Sequence, residues 1–239
     1  MKNSKFVAVA LSAIMLLSAC GMNNTTKGGL IGGGGGAALG ALVGNLIGKD
    51  AKGTAIGAAI GAGVGTGAGI LIGKKMDKAK AAAEAVKNAQ VESITDANGL
   101  QAVKVTFDSG ILFATSSSTL NKDAKASLDQ FANQVLKVNT DMDVAIQGYT
   151  DNDPWKNSTA EQSVQKNLQL SQQRADAVSS YLKSIGVQAS QVKTCEGLGE
   201  ANPVADNSTA AGKAQNRRVE VYLYASKAMI DAANAGTLQ

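Results

Sequence analysis

The chain has 239 residues, 27 glycines, two prolines and a formal charge of +4. Histidine is absent and aromatic residues make up only 4%. This removes the commonest general base, the Ser-His-Asp triads, most zinc sites, and one large core spread over the whole length. The modest charge offers no basic face for nucleic acid, and no cofactor or metal signature is present.

Residues 1–19 have the layout of a secretory signal. Lys2 and Lys5 form a charged start, and Phe6 to Leu17 form an apolar run too short to span a bilayer comfortably. Leu17-Ser18-Ala19-Cys20 follows. It resembles a bacterial lipobox, which implies cleavage before Cys20, diacylation of its thiol and attachment to a lipid bilayer. Two acyl chains hold firmly where one holds marginally. Residues 20–27 are then a short lipidated linker. With Cys20 consumed, Cys195 has no cysteine left to pair with.

Residues 28–73 carry glycine at every fourth position, from Gly28 to Gly48 and again from Gly53 to Gly73. Lys49-Asp50-Ala51-Lys52 interrupts the two runs, which are otherwise Ala, Leu, Ile and Val. On a helix with about 3.6 residues per turn, such glycines form one drifting stripe that lets another backbone approach closely. Each 21-residue run would be about 30 Å long, the thickness of a hydrocarbon core. The segment resembles a glycine-zipper helical hairpin, and that resemblance admits a homo-oligomer. A flexible glycine-rich spacer is the competing reading. The pattern does not say whether the hairpin sits in a bilayer or in a soluble bundle.

Residues 74–98 begin with Lys74, Lys75 and Lys78 and turn alanine-rich, so a helical linker is expected. From 99 to 225 the composition is that of an ordinary globular domain. Val103, Val105 and Phe107 alternate as a strand, and Asn121 to Val138 has helical spacing. Met142, Val144 and Ile146 alternate again. Residues 167–185 form a helix stopped by Gly186, Val192 to Glu196 a short strand, and Val219, Val221 and Leu223 the last strand. The order β-α-β-α-β-β predicts an α+β fold, a mixed four-stranded sheet with its helices on one face. Residues 226–239 are left as a short helix or tail.

Arg174 is out of place on its helix. It precedes Val178 by four residues, Leu182 by eight and Ile185 by eleven, and so lies on the apolar stripe. A half-buried guanidinium needs an anionic partner. Asp151, at the end of a strand, offers a carboxylate for an ammonium. The two residues either pair with each other or together hold a zwitterionic amino-acid group.

Gly148-Tyr149-Thr150-Asp151-Asn152, then Asn167-x-x-Leu170-Ser171-x-x-Arg174-Ala175, then Asn216-Arg217-Arg218-Val219-Glu220 form three ordered blocks. Together with Phe113 and the Ser/Thr run to Leu120, they resemble the C-terminal domain of the OmpA-like family over about residues 99–225. That resemblance implies non-covalent binding of peptidoglycan. Asp151 would take the amine of a diaminopimelate side chain and Arg174 its carboxylate. Asn167 would hold the loop or the ligand, Arg218 would brace the pocket, and Thr150 is a further candidate. Tyr149 stands where the family usually has histidine. The stretch from Asp151 to Asn167 is longer than the family pattern and contains Trp155, the only tryptophan.

The expectation is therefore a non-enzymatic lipoprotein, held in the outer membrane through Cys20, that grips the wall from the periplasm. Gly21 after the cysteine lacks an acidic inner-membrane retention signal. The alternative is an oligomeric pore- or stator-type component that uses the same domain as a wall anchor. An enzyme acting on the wall is disfavoured by the absent histidines and by the lack of a paired-carboxylate motif.

Overall fold

Apolar residues at every second position commit the central strands to one buried face. The computed structural model describes residues 64–96 and 99–238. Cys20, the signal segment and the glycine ladder up to Gly61 lie outside them. In chain order the elements are α1 (Thr66–Glu84), β1 (Ala89–Thr95), β2 (Gln101–Asp108), α2 (Ser109–Leu112), α3 (Lys122–Phe131), β3 (Met142–Gly148), α4 (Ala160–Ser184), β4 (Val192–Gly197), α5 (Ala210–Asn216), β5 (Arg218–Ala225) and α6 (Lys227–Asn234). A π-helical turn, Ala132–Leu136, prolongs α3.

The sheet order is β1-β2-β5-β3-β4. β5 lies antiparallel between β2 and β3, and β4 runs parallel to β3 at one edge. The sheet thus has five strands, one more than the four expected. The additional strand, β1, pairs antiparallel with β2 at the other edge and falls in the stretch expected to be a helical linker. Val103, Val105, Phe107, Val144, Ile146, Val219, Val221 and Leu223 share one core with the helices. The helices occupy that single face, as expected of this α+β class.

α1 runs through the expected boundary between the glycine ladder and the linker. Ala68, Gly69, Ile72, Gly73, Met76, Ala79 and Ala83 are buried along it, a three-and-four spacing. The apolar members of this stripe belong to the same core as the sheet. The last two glycines of the ladder therefore face the domain's own interior. Lys75 pairs with Asp141 just before β3, and the Gly65 N–H donates to Asn234 Oδ1 at the end of α6 (3.4 Å). No helix among the described residues is long and apolar enough to cross a membrane. Ile72→Ala should lower the unfolding free energy by about 2–5 kcal/mol, because a fully buried side chain leaves a cavity. Denaturant unfolding of the two proteins measures this. An unchanged midpoint would mean that α1 is only a linker.

α4 begins seven residues before the expected start. Thr159 caps it reciprocally: its Oγ1 accepts from the Gln162 N–H (3.3 Å), and its own N–H donates to Gln162 Oε1 (3.0 Å). Gly186, at φ +98°, ends the helix in the left-handed region, where glycine carries no Cβ penalty.

Two glycines set how closely α4 lies on the sheet. Gly148 and Gly197 are register partners on β3 and β4. A Cβ on Gly148 would sit 2.2 Å from the Ser171 carbonyl oxygen, and one on Gly197 would sit 2.0 Å from the Gln172 nitrogen. Only glycine at both positions allows the helix backbone to rest against the strand ends. Ser171 Oγ completes the junction by accepting from the Gly199 N–H (2.8 Å).

Candidate functional site

The ends of three elements and one helix face meet in a cleft of ≈ 730 Å³. Ser109 and Gly110 come from the β2–α2 turn, and Thr150 and Asp151 follow β3. Asn167 and Arg174 project from α4, and Arg217 enters β5. Phe113 and Trp155 form further walls.

Arg174 is only 3% exposed. Its Nε donates to the Ser117 carbonyl (3.0 Å), and its guanidinium lies 5.3 Å from the Phe113 ring centre. Its Nη1 has no hydrogen-bond partner. Burial, and then the nearby Arg217, draw its pKa below the ordinary guanidinium value, with Asp151 opposing. Among the described residues Arg174 makes no salt bridge. The Asp151 carboxylate instead pairs with Arg217 and accepts from the Asp153 N–H (3.2 Å). The simple Arg174–Asp151 pair left open by the sequence is therefore not formed.

Asn167 is 4% exposed and braces the loop after β3. Its Nδ2 donates to the carbonyls of Asp151 (3.4 Å) and Asp153 (3.3 Å), while its Oδ1 accepts from Trp155 Nε1 (2.7 Å). The Thr150 N–H donates to the Gly199 carbonyl (2.8 Å), but its hydroxyl has no partner. The Ser109 hydroxyl is likewise unpartnered. Among the described residues five buried polar side-chain atoms lack a partner, and three of them, on Ser109, Thr150 and Arg174, line this one cleft. Buried polar atoms are nearly always satisfied. Their concentration here marks a surface shaped for a polar ligand.

The cleft thus unites Asp151, Arg174, Asn167 and Thr150. It takes Arg217, not the Arg218 expected from the sequence. Successive strand residues point to opposite faces, and Arg218 projects to the face of the sheet opposite the core. There its Nε donates to Glu220 Oε1 (2.7 Å), its Nη1 to the Asn216 carbonyl (3.2 Å) and its Nη2 to the Asn202 carbonyl (3.1 Å). Its guanidinium also stacks 3.8 Å from the Tyr149 ring centre. Tyr149 donates to Gln147 Oε1 (2.8 Å) on that same face. The residue standing at the usual histidine position is thus turned away from the cleft.

Three cations, Lys156, Arg174 and Arg217, and two carboxylates, Asp151 and Asp153, line the cleft. Lys213 of α5 takes up Asp153 at 2.6 Å. With Asp151 held by Arg217 and Asp153 by Lys213, Lys156 and Arg174 leave the cleft a positive balance, which favours an anionic group.

Residues 112–217 match the OmpA family, and residues 1–77 match the YMGG-like Gly-zipper. Residues 112–217 are thus similar to the OmpA family. The probable lipoprotein YiaD of Escherichia coli (strain K12) is 48% identical over 113 residues, 47% of this chain and 47% of that protein. The peptidoglycan-binding protein ArfA of Mycobacterium tuberculosis is 44% identical over 86 residues, 36% of this chain and 24% of that protein. The chain spans about half or less of the length of these curated relatives. The solved cell wall anchor of the T6SS from Pseudomonas aeruginosa superposes with a TM-score of 0.50 at 28% identity, covering 63% of this chain and 97% of that one.

Cys195 lies on β4, outside the cleft, and its Sγ approaches Asp176 Oδ1 at 3.5 Å. Burial, and then that carboxylate, push its thiol up to about 12. Almost no thiolate exists at neutral pH, and the thiolate is the reactive form. In a Cys20→Ser chain, iodoacetamide at pH 8 should leave the native protein unlabelled and add one equivalent after unfolding in guanidinium. Rapid labelling of the folded protein would contradict this protection.

Proposed function

We propose that the chain is a non-enzymatic envelope lipoprotein that ties the outer membrane to the cell wall by holding peptidoglycan non-covalently. Acylated Cys20 is the membrane anchor, and the glycine ladder lies between that anchor and the domain. The cleft takes the free amino-acid end of a diaminopimelate side chain. Arg174 meets its carboxylate, Asp151 its ammonium, and the Thr150 and Ser109 hydroxyls supply further hydrogen bonds. Asn167 holds the loop that presents Asp151.

The observation that carries this reading is Arg174, a buried guanidinium with one nitrogen unpartnered, facing a cleft that also contains a carboxylate. A charge is kept in such a place only where an anion compensates it. The likeness to a peptidoglycan-binding protein and to a cell wall anchor supports the choice of ligand. The test is co-sedimentation of the mature protein with purified peptidoglycan, with free meso-diaminopimelate as competitor. Retention on the wall that the free amino acid abolishes is expected. Retention untouched by it would refute the diaminopimelate assignment. Labelling with a fatty-acid analogue should be lost in Cys20→Ser, and labelling that persists would refute the anchor.

A further inference from the structure

The cleft extends beyond the groups assigned to diaminopimelate. Asn167 and Arg174 lie two turns apart on α4, about 10 Å along the helix. Arg174 and Arg217 lie at one end and Trp155, hung on Asn167, at the other, with Asp151 between them, its carboxylate on Arg217 and its carbonyl on Asn167. Trp155 and Lys156 belong to the loop between β3 and α4.

The polar groups of Trp155 are already committed. Its indole N–H donates to Asn167 Oδ1 at 2.7 Å and its backbone N–H to Ser163 Oγ at 3.0 Å. The Lys166 ammonium lies 5.8 Å from the ring centre. The half-buried indole therefore offers the cleft apolar ring surface and no donor. Beside it stands exposed Lys156, a cation, while the neighbouring Asp153 is held by Lys213.

An apolar surface with a cation at its edge fits an aliphatic group that carries a carboxylate. We propose that Trp155 and Lys156 form a second subsite for the residue that precedes diaminopimelate in the stem peptide. That residue is γ-linked glutamate, whose methylenes lie on the indole and whose free α-carboxylate meets Lys156. The assignment rests on the diaminopimelate reading of the charged end.

Calorimetric titration separates the two. The ligands are free meso-diaminopimelate, the tripeptide Ala-γ-Glu-diaminopimelate, and the same tripeptide with its glutamate α-carboxylate amidated. Wild type should bind the tripeptide at least about tenfold more tightly than the free amino acid. Trp155→Ala should remove that advantage, so that the tripeptide and free diaminopimelate bind this variant within about twofold of each other. Trp155→Phe, which keeps a ring and loses the Asn167 bond, should retain most of it. Lys156→Gln should bring the plain tripeptide down to the level of the amidated one. Equal weakening of both ligands in Trp155→Ala would overturn the subsite and leave Trp155 as a brace for the Asp151 loop. No change for either ligand would overturn it as well. Failure of wild type to bind free diaminopimelate at all would instead strike the reading beneath it.

Discussion

Arg174→Ala should lose wall binding without losing the fold. A charge-assisted, partly desolvated contact to the ligand carboxylate disappears, which costs about 2–5 kcal/mol, or at least roughly 30-fold in affinity. The folded protein gives up the Ser117 bond and the stacking on Phe113. It also sheds a buried cation whose pKa is drawn down by burial and by Arg217, and that relief offsets the lost packing. The melting temperature should therefore stay level or rise. Asp151→Asn should weaken binding for the complementary reason, loss of the ammonium partner. It also strips Arg217 of its ion pair, so some destabilisation is expected there. Melting and co-sedimentation on the same preparations separate these effects. Folded Arg174→Ala protein that binds wall at wild-type strength would remove Arg174 from the site.

Gly197→Ala should do the opposite and damage the fold first. Its Cβ would fall 2.0 Å from the Gln172 nitrogen, 2.4 Å from its Cα and 2.6 Å from Ser171 Oγ. Two of these are backbone atoms in the middle of a 25-residue helix, so no rotamer change relieves the overlap. α4 must lift from β3 and β4, and a loss of about 4 kcal/mol or more, at the extreme of single substitutions, is expected. Ser171 lies one turn before Arg174 on that helix, so the cleft opens as well. Thermal unfolding should show a large drop, with binding lost in parallel. A protein that melts like wild type would mean that the helix does not rest on the strand ends.

Much of this was legible in the residues. The alternation in β2, β3 and β5 is strict because one face is buried beneath helices. Asp151 and Arg174 stood out because each is a charge at an otherwise apolar or structural position. β1 was hidden: Ala89–Thr95 is an edge strand with no fully buried residue, so it needs no strong alternation, and it follows an alanine-rich helix. The early start of α4 was written in Thr159 and Gln162, a capping pair. The choice between Arg217 and Arg218 was also available. Val219, Val221 and Leu223 face the helices, so the period of two puts Arg217 on the side of Arg174 and sends Arg218 to the other. Trp155 could not be placed, because nothing in sequence spacing shows that its indole N–H reaches Asn167.

The packing of α1 bears on how the domain carries a mechanical load. The start of α1 is tied beside the end of α6, and Lys75 is tied beside the start of β3. The cleft lies at the other end of the same strands, after Gly148 and before Arg218. A pull on residue 64 against a ligand held at Arg174 is thus directed along β3 and β5. Their antiparallel ladder, from Met142–Ala225 to Gly148–Val219, is then stressed in shear. In shear all its hydrogen bonds resist together, whereas a pull across the sheet would break them one after another like a zip. In the proposed tether, a load entering at residue 64 would meet this ladder lengthwise.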